Sequence, residues 1–395
     1  MKTEKQNSLF CYQGNNYLVP FLLISSLFFF WGFAHSILEV LNPHFQESFK
    51  ISKTMASFVQ VAVYGGYFLM ALPAGYIIRR YGYRAGVITG LLLYGIGALM
   101  FIPGSRINSF PFFVFSLFVI GCGLTCLETS ANPYTTVLGE PSKAESRINL
   151  SQSLNGFGWI VGPLIGGMLL LSGGDIALPY TIVGIVVLLV ALVFSKVKLP
   201  EIKDEVETQA EDSHGNLWNT AFILGVVALF LYVAAQTGVN SFFINYMVEN
   251  TGTSHTQASQ WLGFGGMGLF VFGRLTGGWV MNFFRASRLL LIYAVLAALA
   301  TAIIVMGSGM ITLVAFFVVY LCESIMFPTI FSLALRDSGG NKKMASSVLI
   351  MTIVGGAVAP LMMGYIADNT GSMPVAFVVP LVCYVYIAGY AMMKK

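Results

Sequence analysis

Charged side chains are scarce in this sequence. Asp, Glu, Lys and Arg make up only 10% of its 395 residues, against 56% hydrophobic residues and a mean hydropathy of +0.78. Soluble globular domains carry about 25% charged residues, so the composition excludes an ordinary soluble protein. The net charge of +4 comes without a basic stripe of interleaved aromatic residues, and we therefore expect no nucleic-acid partner.

Cysteine and histidine are also few, which limits the chemistry that the chain can perform. The five cysteines show no disulfide or zinc spacing; Cys122 and Cys126 lie one helical turn apart with no histidine or acid to complete a metal set. Of the four histidines, only His35 falls inside a long apolar run. Without metal ligands, a nucleophile–base pair or a serine motif, we expect neither an enzyme nor a bound metal or cofactor.

What the sequence contains instead is long apolar runs separated by short charged clusters. Each run is long enough to cross a hydrocarbon core of roughly 30 Å as a helix. The sequence thus predicts an all-α polytopic membrane protein with twelve transmembrane helices. The predicted segments are 18–42, 56–78, 85–104, 109–136, 149–172, 178–197, 217–248, 258–282, 287–308, 311–335, 345–367 and 373–393.

Basic residues are confined mainly to alternate connections. With the N-terminus inside, the outer connections hold only Lys50, Lys53 and Arg106, and nearly all other Lys and Arg residues are on the inner side. This bias predicts that both termini are cytoplasmic.

The chain also divides into two similar halves. A polar stretch of mixed charge predicts a cytoplasmic linker at 198–216, between one six-helix bundle at 1–197 and another at 217–395. VGPLIGG (161–167) aligns with VAPLMMG (358–364), and FLMALPAG (68–75) with FVFGRLTG (270–277). Because an even number of segments preserves orientation, the two repeats are predicted to be parallel.

Two glutamates stand at equivalent places in these halves. Glu128 lies five residues before Pro133, and Glu323 lies five residues before Pro328. A carboxyl deep in a membrane segment is costly and indicates a functional site. The pair therefore predicts a duplicated membrane protein with a working polar centre.

Several strings resemble known transporters. The loop GYIIRRYGYR (75–84) resembles the signature loop of the major facilitator superfamily, although Arg79 stands at its acidic position. More specific strings are similar to the fucose permease branch, which includes glucose/galactose permeases. They are FFFWGFAHSILEVLNPHFQ (28–46), LPAGYIIRRYGYRAGVITGLLLYGIGA (72–98), CLETSANPYTTVLG (126–139), RINLSQSLNGFG (147–158), FPTIFSLAL (327–335) and VLIMTIVGGAVAP (348–360).

This resemblance implies the major facilitator fold and a function. It implies a monomeric transporter of a bacterial inner membrane that carries a monosaccharide inward with a proton, by alternating access and without a cofactor. L-fucose is the leading substrate. Glucose, galactose or another hexose is the alternative, because Met326 and Phe327 depart from the fucose permease pattern. A proton-driven exporter is a more distant alternative.

The resemblance also assigns roles to acidic residues. Glu128 matches the family's proton-coupling glutamate, and Glu39 falls where fucose permeases carry an aspartate that binds sugar and proton. From the residues alone, Glu128 is otherwise a structural acid paired with Arg147 or Lys143. Glu39 is otherwise a surface acid, since Pro43 is expected to close its helix.

Further substrate contacts are predicted among polar and aromatic residues of the apolar segments. His35 is one turn before Glu39 and is expected either to hydrogen-bond to it or to be a satisfied interior histidine. Amides in membrane helices otherwise join helices together, and aromatic residues at helical spacing otherwise pack. The predicted contacts are Glu39, His35, Gln152, Asn155, Gln236, Asn240, Glu323, Gln60, Tyr64 and Trp31. For Glu323 the alternatives are a second proton-binding group or a hydrogen bond between helices.

Four arginines are predicted to act in gating. Arg79, Arg80 and Arg84 belong to the signature-like loop, and Arg274 lies inside segment eight. The alternative for Arg274 is an arginine that extends to the membrane surface.

Overall fold

The computed structural model describes residues 9–12, 15–140, 144–170, 175–197, 218–280, 285–307, 309–338 and 342–394. The predicted linker at 198–216 and Lys143 lie outside these described residues. The described backbone is almost entirely α-helical, which confirms the predicted all-α class. A helix satisfies its own N–H and C=O groups, and this is why apolar runs adopt it where water is absent.

The first half opens with a short hairpin in which β1 (Cys11–Tyr12) pairs antiparallel with β2 (Asn15–Asn16). The helices that follow are α1 (Leu18–Phe49), α2 (Lys53–Ala56), α3 (Phe58–Tyr81), α4 (Tyr83–Leu99), α5 (Phe101–Ile107), α6 (Phe110–Val137), α7 (Ala144–Leu169) and α8 (Ala177–Lys196). The pairs α2–α3 and α4–α5 each form one long span, Lys53–Tyr81 and Tyr83–Ile107.

In the second half, turns that are not α-helical interrupt some of the spans. Its helices are α9 (Thr220–Thr251), α10 (His255–Gln260), α11 (Gly268–Val280), α12 (Ala286–Val305), α13 (Ile311–Glu323), α14 (Met326–Arg336), α15 (Lys342–Met351), α16 (Gly355–Thr370), α17 (Met373–Ala376) and α18 (Val378–Met393). A π-helical turn (Trp261–Met267) joins α10 to α11, and a 3₁₀ turn (Thr352–Val354) joins α15 to α16.

The twelve predicted segments all correspond to helical spans. Within the described residues, ten spans are long and apolar enough to cross a membrane. The other two predicted segments correspond to α7, which is richer in polar residues, and to α10–α11, which the π-helical turn interrupts. Their lower apolar content or broken helix explains why length and hydropathy alone do not select them.

One predicted boundary is wrong. Pro43 was expected to close the first helix, yet α1 continues through it to Phe49. Proline lacks the N–H that would bond to the carbonyl four residues earlier, which here is that of Glu39. The side chain of Glu39 is 3% exposed, so the surface alternative for this acid is also wrong.

The described residues pack into two compact units. Unit 1 comprises residues within Met1–Ile37, Gly65–Ile165 and Gly173–Glu205; unit 2 comprises residues within Leu38–Tyr64, Gly166–Ser172 and Val206–Lys395. Residues 38–64 therefore pack with the second half of the chain rather than the first. The division of the sequence at 198–216 stays a prediction.

Hydrogen bonds within unit 2 account for this grouping. Asp368 of α16 accepts the backbone N–H groups of Lys53 at 3.0 Å and of Thr54 at 2.8 Å. The Asn42 amide donates to the Ser241 carbonyl at 3.2 Å, and Lys53 Nζ lies 2.9 Å from Glu249. Bonds to backbone groups at several points hold α1, α2 and the start of α3 against α9 and α16.

In unit 1, glycines allow α1 and α7 to approach closely, as the four-residue spacing of Gly158 and Gly162 predicts. A Cβ atom at Gly158 would lie 2.4 Å from the Phe29 carbonyl oxygen, and one at Gly32 would lie 2.2 Å from the Asn155 carbonyl oxygen. Both obstacles are backbone atoms, which cannot move aside as a flexible side chain can.

We predict that Gly158→Ala lowers the stability of the purified protein by about 1–3 kcal/mol, because one methyl overpacks the α1–α7 contact. The measurement is the thermal midpoint in detergent. Gly389→Ala is the matched control, since nothing lies within 4 Å of its added Cβ. Equal midpoints for the two variants would contradict the close packing.

Candidate functional site

A polar network in unit 1 centres on Tyr67 of α3. The Trp31 indole N–H donates to the Tyr67 hydroxyl at 2.8 Å, and His35 Nε2 lies 2.9 Å from the same oxygen. Trp31 and His35 are four residues apart, so both project from one face of α1. Trp159 of α7 stacks on the His35 ring, with centroids 6.0 Å apart and planes inclined by 15°.

A small cleft adjoins this network. Its lining residues are Leu27, Phe28, Trp31, Leu127, Glu128 and Ala131, all within unit 1. Glu128 is half-buried at the wall of the cleft, and the Tyr67 side chain lies close to its carboxyl. One acid therefore faces a space that is otherwise bounded by apolar and aromatic side chains.

Arg147, which the sequence offered as an alternative partner for Glu128, donates hydrogen bonds to backbone carbonyls. Arg147 is fully buried and donates Nε to the Thr135 carbonyl at 3.0 Å. Its Nη1 donates to the carbonyls of Leu9 at 3.1 Å and Glu140 at 2.9 Å. These bonds anchor the loop between α6 and α7 and the segment before β1.

The two amides of α7 differ in exposure. Asn155 is 5% exposed and donates its amide N–H to the Phe28 carbonyl at 3.1 Å, which joins α7 to α1. Gln152 is half-buried. The helix-joining alternative thus describes the Asn155 amide nitrogen, and sugar contacts by either residue stay predictions.

Unit 2 holds a second buried acid, Glu39. Glu39 is 3% exposed and lies beside Ser241. Within the described part of the chain, buried polar atoms of unit 2 without a hydrogen-bond partner include Glu39 Oε2, Ser241 Oγ, Asn240 Oδ1 and both amide atoms of Gln60. Buried polar groups normally have partners, so such atoms indicate places where a polar ligand or water can bind.

Other predicted contacts have partners within their own units. The Tyr64 hydroxyl lies 3.2 Å from Thr237 Oγ1 in unit 2, and Gln236 is half-buried on the same helix, α9. Of the two alternatives for His35, the structure shows the satisfied interior histidine, which is hydrogen-bonded to Tyr67 rather than to Glu39.

Glu323 ends α13 and is completely buried. Its Oε1 accepts a hydrogen bond from the Tyr384 hydroxyl, and its backbone carbonyl accepts one from the Tyr232 hydroxyl at 3.0 Å. Its other carboxyl oxygen has no partner among the described residues. The acid is therefore enclosed by tyrosines.

The four predicted gating arginines have different surroundings. Arg274 Nε donates to the Ser324 carbonyl at 3.4 Å, and its guanidinium lies 4.8 Å from the centre of the Phe270 ring. Arg84 donates to the carbonyls of Phe194 and Ser195 at the end of α8. Arg80 lies over the Tyr76 and Tyr81 rings, and Arg79 is exposed. Their gating roles stay predictions.

Four residues of these polar groups carry only weak signals in the sequence. Tyr67 is predicted, like Tyr64, either to supply a polar or stacking contact or to pack, and Ser241, Tyr320 and Tyr384 match no pattern that predicts a site. Ser241 directly follows the predicted contact Asn240, and that adjacency is a usable signal. Tyr320 and Tyr384 stand in plain apolar runs, where nothing in the sequence distinguishes them from packing residues.

Comparisons with known proteins agree with the resemblance of the motifs. Residues 24–350 match the family model of the Major Facilitator Superfamily. The chain is 35% identical to the L-fucose-proton symporter of Escherichia coli K12, covering 97% of this chain and 94% of that protein. It is 34% identical to the glucose/galactose transporter of Brucella abortus, covering 95% and 94%.

Solved structures give the same assignment. The crystal structure of the superfamily transporter FucP in the outward conformation matches with a TM-score of 0.70 and 35% identity, covering 96% of this chain and 99% of that one. A bacterial homologue of the lysosomal transporter Spinster matches with a TM-score of 0.74 at 16% identity, which supports the fold alone. On sequence and structure together, the chain belongs to the major facilitator superfamily.

Proposed function

We propose that this protein is a transporter that carries a monosaccharide together with a proton, and that L-fucose is its substrate. The observation that carries the proposal is the cleft of unit 1, where the half-buried Glu128 stands among aromatic and apolar walls beside Tyr67. Its relatives include an L-fucose-proton symporter that matches over nearly the whole of both chains. The chemistry is transport rather than catalysis.

The cleft suits a sugar for simple physical reasons. A pyranose presents hydroxyl groups at its rim and apolar C–H faces, so it needs hydrogen-bonding groups beside aromatic rings. At the cleft, Trp31 supplies a ring face and Glu128 a hydrogen-bonding carboxyl, and Tyr67 bonds to Trp31 and His35 and lies close to Glu128. Unpartnered polar atoms of unit 2, Glu39 Oε2 among them, offer similar chemistry there.

Proton coupling follows from the cost of a charge at such a place. Glu128 has apolar neighbours, which favour its neutral, protonated form when water is excluded. The proton loads from the side of lower pH, the sugar binds, and the site opens to the other side. The proton is then released on the side where the proton concentration is lower. This release drives sugar uptake in one direction.

The arrangement in the membrane belongs to the same proposal. The two bundles at 1–197 and 217–395 rock about a central site, the linker at 198–216 is cytoplasmic, and both termini face the cytoplasm of a bacterial inner membrane. The transporter acts as a monomer without a cofactor. Arg274 and the arginines at 79, 80 and 84 serve the gates.

The first expected outcome concerns the substrate. In proteoliposomes we expect labelled L-fucose to accumulate only under an inward proton gradient, with D-glucose, D-galactose and N-acetylglucosamine tested in parallel. Accumulation of glucose or galactose instead would favour the alternative substrates. Failure of all four sugars in counterflow would reject sugar transport. Outward movement of sugar in exchange for protons that enter down their gradient would favour an exporter.

The second concerns coupling. Glu128→Gln keeps the shape of the side chain but removes its exchangeable proton, so we expect gradient-driven accumulation to be lost while sugar counterflow remains. Asp175→Asn is the matched control, because this exposed acid accepts the Ala177 N–H and asparagine caps a helix equally well. Loss of both counterflow and accumulation in Glu128→Gln would contradict a pure coupling role.

The third concerns the network at Tyr67. Tyr67→Phe removes the hydroxyl that Trp31 and His35 share, and we expect KM in counterflow to rise by roughly tenfold, or about 1.4 kcal/mol. This lies within the about 1–3 kcal/mol that a buried hydrogen-bonding group costs when it is left unpaired. Tyr365→Phe, at a tyrosine that is 62% exposed, is the control. An unchanged KM in Tyr67→Phe would show that the network does not support sugar binding.

A further inference from the structure

The polar site around Glu323 is built by a break in the helix that carries it. Helix α13 ends at Glu323, and α14 begins three residues later at Met326. Pro328 has no N–H to donate to the carbonyl of Ser324, four residues earlier. That carbonyl accepts Arg274 Nε at 3.4 Å instead, and the carbonyl of Glu323 accepts the Tyr232 hydroxyl at 3.0 Å.

The carboxyl of Glu323 is enclosed and has no counter-ion. The residue is 0% exposed, Oε1 accepts the Tyr384 hydroxyl, and Oε2 has no hydrogen-bond partner in the described ranges. No ion pair to Glu323 is formed among the described residues. A buried charge in this situation costs far more than an unpaired neutral hydroxyl, so the neutral acid is the form that fits.

Ionisable groups on neighbouring helices lie near this acid or near its own neighbours. Tyr232 on α9, Tyr384 on α18, and Tyr320 and Cys322 on α13 itself interact with Glu323. Arg274 on α11, Tyr293 on α12 and Cys383 on α18 interact with Tyr232, Cys322 and Tyr384 respectively. All except Arg274 are neutral in their usual state. Arg274 donates to Ser324 and lies over Phe270, so its hydrogen bond goes to the helix break rather than to the carboxyl.

Glu323 is also connected to the other acid of unit 2. Tyr320 lies within electrostatic range of both Glu323 and Glu39, and its buried hydroxyl has no partner among the described residues. Glu39 Oε2 is likewise buried without a partner there. Two acids and a tyrosine hydroxyl thus stand in one enclosed polar region, where a proton gained or lost by one acid changes the electrostatic field at the other.

We propose that Glu323 is a second proton-binding group of the transport cycle, protonated in the arrangement seen here and deprotonated when its enclosure opens to water. The proposal rests on the proposed symport and deepens it, because it assigns an additional proton to each sugar carried. The first proton binds Glu128 in unit 1, and the second binds Glu323 in unit 2. The tyrosines hold the neutral acid in place while the site is closed.

The transport test compares proton and sugar fluxes measured together in proteoliposomes. In Glu323→Gln we expect the number of protons per sugar to fall by one while sugar counterflow without a gradient continues. Asp175→Asn, at an exposed acid of unit 1, is the matched control and should keep the ratio of the unaltered protein. An unchanged ratio in Glu323→Gln would overturn the proposal, and a change in KM alone would make Glu323 a sugar contact.

A spectroscopic test does not depend on transport. Infrared spectra of the purified protein at neutral pH should contain the C=O band of a protonated carboxylic acid that Glu323→Gln removes and Asp175→Asn leaves in place. Tyr384→Phe should move this band to higher frequency, because it removes the hydrogen bond to Oε1. This second variant keeps the test decisive even where Glu323→Gln fails to fold.

The outcomes separate the two proposals. A band that neither variant alters would overturn protonation of Glu323, whatever the sugar data show. If the band depends on Glu323 but the unaltered protein carries no sugar with a proton, the symport fails while proton binding by Glu323 stands.

Discussion

A polar side chain inside a membrane protein must find a partner, stay neutral or face water, and this constraint shapes every part of the structure that matters for function. Arg147 meets it with three backbone carbonyls, and Trp31 and His35 meet it by sharing the Tyr67 hydroxyl. Glu128 meets it differently, because its carboxyl faces a cleft. The groups that are fully satisfied hold helices together, and those that are not are the groups to which we assign a ligand or a proton in the proposals above.

Irregular helices provide much of this polar chemistry. A regular helix uses all of its internal carbonyls, so it offers few acceptors to side chains. Pro328 and the break between α13 and α14 release carbonyls that Arg274 and Tyr232 then occupy. Pro43 removes the donor for the Glu39 carbonyl within α1, next to the unpartnered Oε2 of the same residue. Pro43 and Pro328 thus each stand within five residues of a buried acid.

Helix α1 serves both compact units. Its first part carries Trp31 and His35 in unit 1, and its last part carries Glu39 and Asn42 in unit 2. Close packing against α7 through glycines and hydrogen bonds to α9 fix the two parts separately. One continuous helix therefore positions polar groups in each unit, and its sequence had to satisfy both surroundings.

The sequence by itself determined the class of protein, the family and the presence of acids inside its apolar runs. These follow from local properties, since the length and hydropathy of a run decide whether it can span a membrane, and rare charges inside such runs stand out as Glu128 and Glu323 do. Only the tertiary structure decided which buried side chains hydrogen-bond to each other. Tyr67 and Tyr384 look like packing residues in the chain, and only folding places their hydroxyls beside His35 and Glu323. Hydrogen bonds between distant segments depend on distances of a few ångströms, which no local pattern in the sequence records.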